Sequence, residues 1–298
     1  MKSLILLLLG GILLCGKVKS AEPDSLAQIN KRRWLTGTTG TLVYGGSMLA
    51  LNHLWYADYP RSGLHSFDDS REWLQMDKAG HFFTAWYIGV TGIRSAEWMK
   101  IKGDKAVWMG GALGLAFLTG IEFLDGTSEQ WGFSWSDMAA NTLGAGLAIS
   151  QQLAWKKQRF LLKFSYRKSP ESLIRPQLLG EGWSQRWLKD YNGQTYWLSF
   201  SPGAFFPSLG LPSWLCLSVG YSANGMLGAE DNLWGNAPVN DFSHIPRTRE
   251  LFLSADIDLS AIPIRARWYR TFTTWFNFMK IPFPGVNVIN GQMYWLVP

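Results

Sequence analysis

The 298-residue chain is long enough for one large or two ordinary domains. Only 17% of its residues are charged, below the about 25% of soluble globular chains, while 15% are aromatic and 17 are Trp. That balance suits a protein that meets lipid, and a net charge of +6 without a recognisable nucleic-acid motif points to anionic lipid and away from nucleic acid.

Residues 1–20 read as a signal peptide. Lys2 is the charged start, residues 4–14 are a short apolar core, and Val18, Lys19 and Ser20 precede Ala21 at the expected cleavage point. The core is too short to span a bilayer. Cys15 raises the alternative of a lipid anchor, but Leu14 stands where a small residue is expected, so ordinary cleavage is favoured. Cleavage would leave only Cys216, and hence no internal disulfide.

The fold expected is α+β, a four-helix membrane-type bundle over residues 31–157 followed by an antiparallel β-rich domain over 158–298. The helical segments, 34–56, 79–98, 105–124 and 137–155, each have about the 20 residues a bilayer-spanning helix needs. "HFFTAWYIGVTGI" is apolar on every side, and "GGALGLAFLTG" and "AANTLGAGLA" are dense in small residues, as where helices approach closely in lipid. A buried soluble bundle is the alternative. Basic clusters at Lys31–Arg33, Lys100–Lys105 and Lys156–Arg159 would share one face of an up-down bundle, with more acidic loops opposite. The positive-inside rule makes that basic face cytoplasmic, whereas a cleaved signal leaves the N-terminus outside. A retained signal or an outer-membrane setting would reconcile the two.

After Arg159 the period changes to two: "FLLKFSY", "TYWLSFS", "LCLSVGY" and "ELFLSADIDLS" predict about five strands. "YNGQ" at Tyr191 reads as a hairpin turn. Trp268, Phe272, Trp275 and Met279 have helical spacing, which predicts an amphipathic helix on a membrane or on the sheet.

The polar residues converge. Asp77 and His81 open the second helical segment four residues apart, Glu122 and Asp125 close the third, and Asp137 and Asn141 open the fourth. In antiparallel order these lie at one end of the bundle, near Asn52 and His53. A His among carboxylates could hold a divalent metal that activates water, with His81, Asp77, Glu122 and Asp125 as the candidate ligands. Crowded carboxylates could instead supply an acid and a base without metal. The structural alternative has Asp137 capped by Ser134 or Ser136, and Lys78 or His81 paired with Glu122 or Asp125 to tie helices together.

"DKAGHFFTAW", "EFLDG" and "WGFSWSDMAANTLGAG" resemble an uncharacterised family of predicted periplasmic lipoproteins (YfiM-like). Asp77, Lys78, His81, Phe82, Glu122, Asp125, Ser134, Trp135, Asp137 and Gly144 carry the resemblance over residues 70–146. A weaker similarity, including Asn141, is to VanZ-like membrane proteins, which commonly have glutamine after the glutamate where this chain has Asp125. The family resemblance implies an envelope location, on the outer-membrane or periplasmic side, but names no chemistry.

Two functional expectations follow. In the first, a non-enzymatic envelope membrane protein uses the cluster to tie helices or bind a partner protein. In the second, a hydrolase acts on a lipid-linked envelope substrate through Asp77, His81, Glu122, Asp125 and Asp137, with Lys78, Ser134, Trp135 and Asn141 binding substrate.

Overall fold

A computed structural model describes residues 25–56, 59–235 and 240–296; the expected signal segment lies outside them. The fold is α+β, with helices in the N-terminal half and an antiparallel six-stranded sheet in the C-terminal part. The chain separates into two units, Met1–Asp69 with Thr84–Lys156, and Ser70–Phe83 with Lys157–Pro298.

Helix α1 (Leu26–Leu51) starts at a capping box, in which Ser25 and Gln28 exchange side chain-to-backbone hydrogen bonds of 3.3 and 3.2 Å. It runs into a wider π-type turn, Asn52–Tyr56. Helices α2 (Met76–Trp98), α3 (Asp104–Gly126) and α4 (Trp135–Trp155) follow. Among the described residues only α3 is long and apolar enough to cross a membrane by length and composition. The runs in α1 and α4 are diluted by Gly, Thr, Ser and Gln.

Within the helical unit α2 and α3 meet backbone to backbone. A Cβ on Gly92 would strike the Gly110 carbonyl, and one on Gly114 the Ala85 carbonyl. Small residues are therefore required at that crossing. Trp86, Ile93, Leu118 and Ala148 are buried, and Tyr44 of α1 meets Phe117 of α3 edge-on at 5.7 Å. Trp34, Leu42 and Leu49 of α1, Trp108 and Leu113 of α3, and Leu143 of α4 remain exposed.

In the sheet unit the strands lie in chain order. β1 (Phe160–Tyr166) is followed by short helices α5 (Glu171–Ile174), α6 (Pro176–Leu179) and α7 (Trp183–Lys189), then β2 (Gln194–Phe200) and α8 (Pro202–Phe205). β3 (Leu215–Asn224), β4 (Thr248–Ile257), α9 (Arg267–Phe276), β5 (Gly285–Ile289) and β6 (Gln292–Leu296) complete it. The "YNG" at Tyr191 is a 3-10 turn leading into β2, because β1 and β2 are joined through α5–α7. The tight hairpin is instead at Asn290-Gly291, both with positive φ (50° and 80°), which joins β5 to β6. That hairpin adds strands beyond the four quoted sequence runs. α9 buries Tyr269 and Thr273 while Trp268 and Phe272 are exposed, and Met279 lies past its end.

The covered face of this sheet buries charged and polar residues beside Trp197 and Phe252. Lys163 of β1 and Asp256 of β4 are fully buried and paired at 2.9 Å, and Lys280 approaches the other Asp256 oxygen at 3.8 Å. Ser199 donates to Asp256 at 2.8 Å and contacts Ser218 at 2.6 Å, so the buried charges have neutral donors as well as each other. Burial lowers the Lys280 pKa, against the opposing pull of Asp256.

We expect Gly114→Ala to destabilise by about 1–3 kcal/mol through overpacking, while Gly146→Ala, which has open space at its Cβ, is neutral or stabilising by up to about 1 kcal/mol. Thermal denaturation of the two variants checks this. Asp256→Asn should cost about 3–5 kcal/mol, since it leaves buried lysines without their carboxylate. The triple change Lys163→Met, Lys280→Met and Asp256→Leu, which removes all three charges, should recover much of that loss, as read by urea unfolding.

Candidate functional site

Helix α3 ends in Glu122 and Asp125, and α4 begins one short loop later at the N-cap Ser134. A helix start presents N–H groups without intrahelical partners, and a buried carboxylate requires donors. Ser134 meets both needs. Its N–H donates to Glu122 Oε2 at 3.1 Å, and its Oγ accepts the Asp137 N–H at 3.0 Å while donating to Asp69 Oδ1 at 2.5 Å. Ser136 Oγ donates to the same Asp69 oxygen at 2.8 Å. Glu122 and Asn141 are 0% exposed and Asp137 is 4% exposed.

Asp69 is delivered by the segment before it, which pairs with the loop between α3 and α4. His65 N–H donates to Gly126 O at 2.9 Å, and Phe133 N–H donates to His65 O at 2.9 Å. The Tyr56 hydroxyl donates to Asp125 Oδ1 at 2.7 Å. Burial pushes the Tyr56 phenol well above the ordinary tyrosine range, and the Asp125 and Glu122 carboxylates add to it. Arg61 bonds Asn52 and donates to Thr127 at 3.2 Å, with its guanidinium 5.5 Å from the Tyr56 ring centre. Trp135 is 72% exposed and its ring meets that of Phe133 edge to face, with centroids 5.1 Å apart.

Asp77, Lys78 and His81 fall in the sheet unit, on the first turns of α2. Asp77 Oδ1 accepts the Tyr191 hydroxyl at 2.6 Å and lies 3.8 Å from His81 Nε2, and Lys78 Nζ is 3.2 Å from Asp77 Oδ2. Three successive residues before them, Trp73, Leu74 and Gln75, have left-handed φ of 49°, 49° and 64°. Such residues cost about 1–2 kcal/mol each and persist only when held in place. Here Trp73 N–H donates to Ala229 O at 2.7 Å, the Tyr221 hydroxyl donates to Leu74 O, and Arg249 donates to Gln75 at 2.7 Å. Met76 is fully buried against Ala223 and Met226.

Chemically, Asp77 and His81 offer two of the three or four donors that a zinc site uses. In the helical unit Glu122, Asp125 and Asp69 already accept from protein donors. Reasoning from spacing found Glu122, Asp125, Ser134, Asp137 and Asn141, but missed Asp69, Tyr56 and Tyr191, which reach their partners from distant sequence. Arg61, just after the first helical run, is the one local hint of a donor there.

Residues 65–152 match the model of a family described as "Predicted periplasmic lipoprotein (DUF2279)". The matched stretch contains Asp77, Lys78, His81, Glu122, Asp125, Ser134, Trp135, Asp137 and Asn141, as well as Asp69. It bears out the periplasmic-lipoprotein resemblance read from those motifs and supports an envelope location; it does not extend to VanZ-like proteins. No curated protein and no solved structure matches the chain.

A raised folded pKa gives stability that is present below the unfolded tyrosine value of about 10 and is lost as pH rises above it. The wild type should therefore lose stability more steeply above about pH 10 than Tyr56→Phe. At neutral pH, Tyr56→Phe should be less stable by about 1–3 kcal/mol, having lost the Asp125 bond. Urea unfolding between neutral and alkaline pH measures both.

Proposed function

We propose that the protein is a non-enzymatic, membrane-associated component of the bacterial envelope whose acidic cluster holds the helical unit together. The observation that carries this reading is Ser134, which joins Glu122, Asp137 and Asp69 through its amide and hydroxyl in a buried setting. The Glu122 and Asp69 carboxylates so engaged serve the fold first, because each accepts from a donor of another segment, while Asp137 takes part through its backbone N–H. The exposed apolar residues of α1 and α3 support membrane association, and the family description supports the periplasmic side.

The alternative, hydrolysis of a lipid-linked substrate, draws on Asp77 and His81. Their side chains are partly exposed, at 22% and 15%, with Lys78 beside them to meet an anionic group. Glu122 and Asn141, being fully buried, contribute nothing directly to that reading.

Glu122→Gln should lower unfolding stability by about 1–3 kcal/mol by weakening a charge-assisted bond. The same loss should appear in Asp69→Asn, which weakens the bonds from the Ser134 and Ser136 hydroxyls, in both cases with the protein still delivered to the envelope. Variants of wild-type stability that abolish a measurable hydrolysis of lipid-linked envelope precursors would favour the enzyme.

A further inference from the structure

Soluble antiparallel sheets bury an apolar face and show water a polar one. Part of this sheet inverts that arrangement, although Trp197 and Phe252 are buried on its polar side and Leu162, Phe164 and Ala223 on its apolar one. Its covered face carries Lys163, Ser199, Ser218, Ser222, Glu250 and Asp256, all buried. The opposite pleat is aliphatic on successive strands: Leu198 pairs with Val219, Val219 with Leu253, Leu253 with Val286 and Val286 with Trp295. Directly paired residues share a face, so this is one continuous row. The neighbouring row runs Tyr221, Leu251, Val288 and Met293. On these rows Leu198 is 40%, Val219 49%, Leu251 52%, Leu253 54% and Trp295 84% exposed, while Tyr221 packs beside Met76.

We infer that this face is a lipid-facing surface, seated against the acyl chains of an anionic bilayer with the 202–211 loop inserted. Polar-inside, apolar-outside alternation is the pattern of β-structure in lipid. Three further observations select lipid over a protein partner. No Asp, Glu, Lys or Arg occurs in residues 191–229, which span β2, its loop and β3. That is complementary to hydrocarbon, where a charge is costly, and unlike a protein interface with its polar rim. The loop itself exposes Phe206, Leu209 and Leu211, while Phe205 packs on Phe160 and Phe200 at the end of the same face. An apolar pocket of about 250 Å³ between Phe82, Phe83 and the Leu198–Val219 rows opens on this face and would admit part of an acyl chain.

This goes beyond membrane association through the helices, and the test separates the two. The full chain, with Cys15→Ser and Cys216→Ser, would carry an environment-sensitive fluorophore at Val219→Cys or Leu253→Cys, with the exposed Glu230→Cys as control. Circular dichroism and thermal unfolding would verify the fold of each; two test sites guard against one failing to fold. Vesicles of phosphatidylglycerol and phosphatidylethanolamine, some with brominated acyl chains, are then added. Expected are blue-shifted emission at both sites and bromine quenching at least about threefold stronger than at position 230, as for groups seated at acyl depth. Flotation with vesicles but water-like emission at 219 and 253 would overturn the lipid-facing sheet while leaving helix-borne membrane association standing. Blue-shifted emission without bromine quenching would also overturn it, in favour of a second copy or another protein on this face. Absence of flotation would count against both.

Discussion

A buried carboxylate with nowhere to find water must find N–H or O–H groups, and that constraint organises the helical unit. Glu122 ends one helix inside the protein, and the nearest supply of donors is the uncapped start of the next. Ser134 is placed so that its amide answers Glu122, while its hydroxyl caps Asp137 and reaches Asp69. The cap therefore does more than begin α4. Through Asp69 it also holds the preceding segment, which pairs along the loop between α3 and α4. The loop carries no Lys or Arg, and neutral donors, the Ser134 amide and hydroxyl and the Tyr56 phenol, take their place.

The same rule shapes the sheet unit with the opposite outcome for its surface. Asp256 lies between Lys163 and Lys280 and accepts from Ser199, so the covered side of the sheet is spent on matching charges. Desolvating such a group of charges is expensive, and only near-complete pairing keeps the cost tolerable. The aliphatic side chains are then left on the other pleat. A sheet with its charges inside asks for something other than water outside, and the uncharged stretch across β2 and β3 is consistent with that demand.

What was legible locally was legible for physical reasons. Apolar runs of helix length predicted α1 to α4, and Ser134 three residues before Asp137 predicted its cap. Helical spacing put Asp77 beside His81, at 3.8 Å. The residues that escaped notice act across long separations. Tyr56 meets Asp125, Asp69 meets Ser134 and Ser136, and Tyr191 meets Asp77. Tyr and Asp are common enough that nothing in their own neighbourhoods marks them. The left-handed turn at Trp73–Gln75 was equally hidden, since none of those residues favours it and it is held by the Trp73 bond to Ala229, bonds from Tyr221 and Arg249, and packing on Met76.

By itself the sequence determined the class of the fold, the order of its four long helices and first four strands, and the presence of acids where two apolar helices meet. Those features follow from periods of 3.6 and 2 and from cap chemistry, which act over a few residues. Period two states that a strand has two unlike faces but not which one will be covered. Tertiary structure alone decided that Lys163 and Asp256 face inward and Val219 and Leu253 outward, because that choice rests on pairings between strands distant in the chain. It likewise decided that Glu122 and Asp125 answer to Ser134 and Tyr56, and that Asp69 accepts from the same serine, since burial and donor geometry exist only once the segments have met.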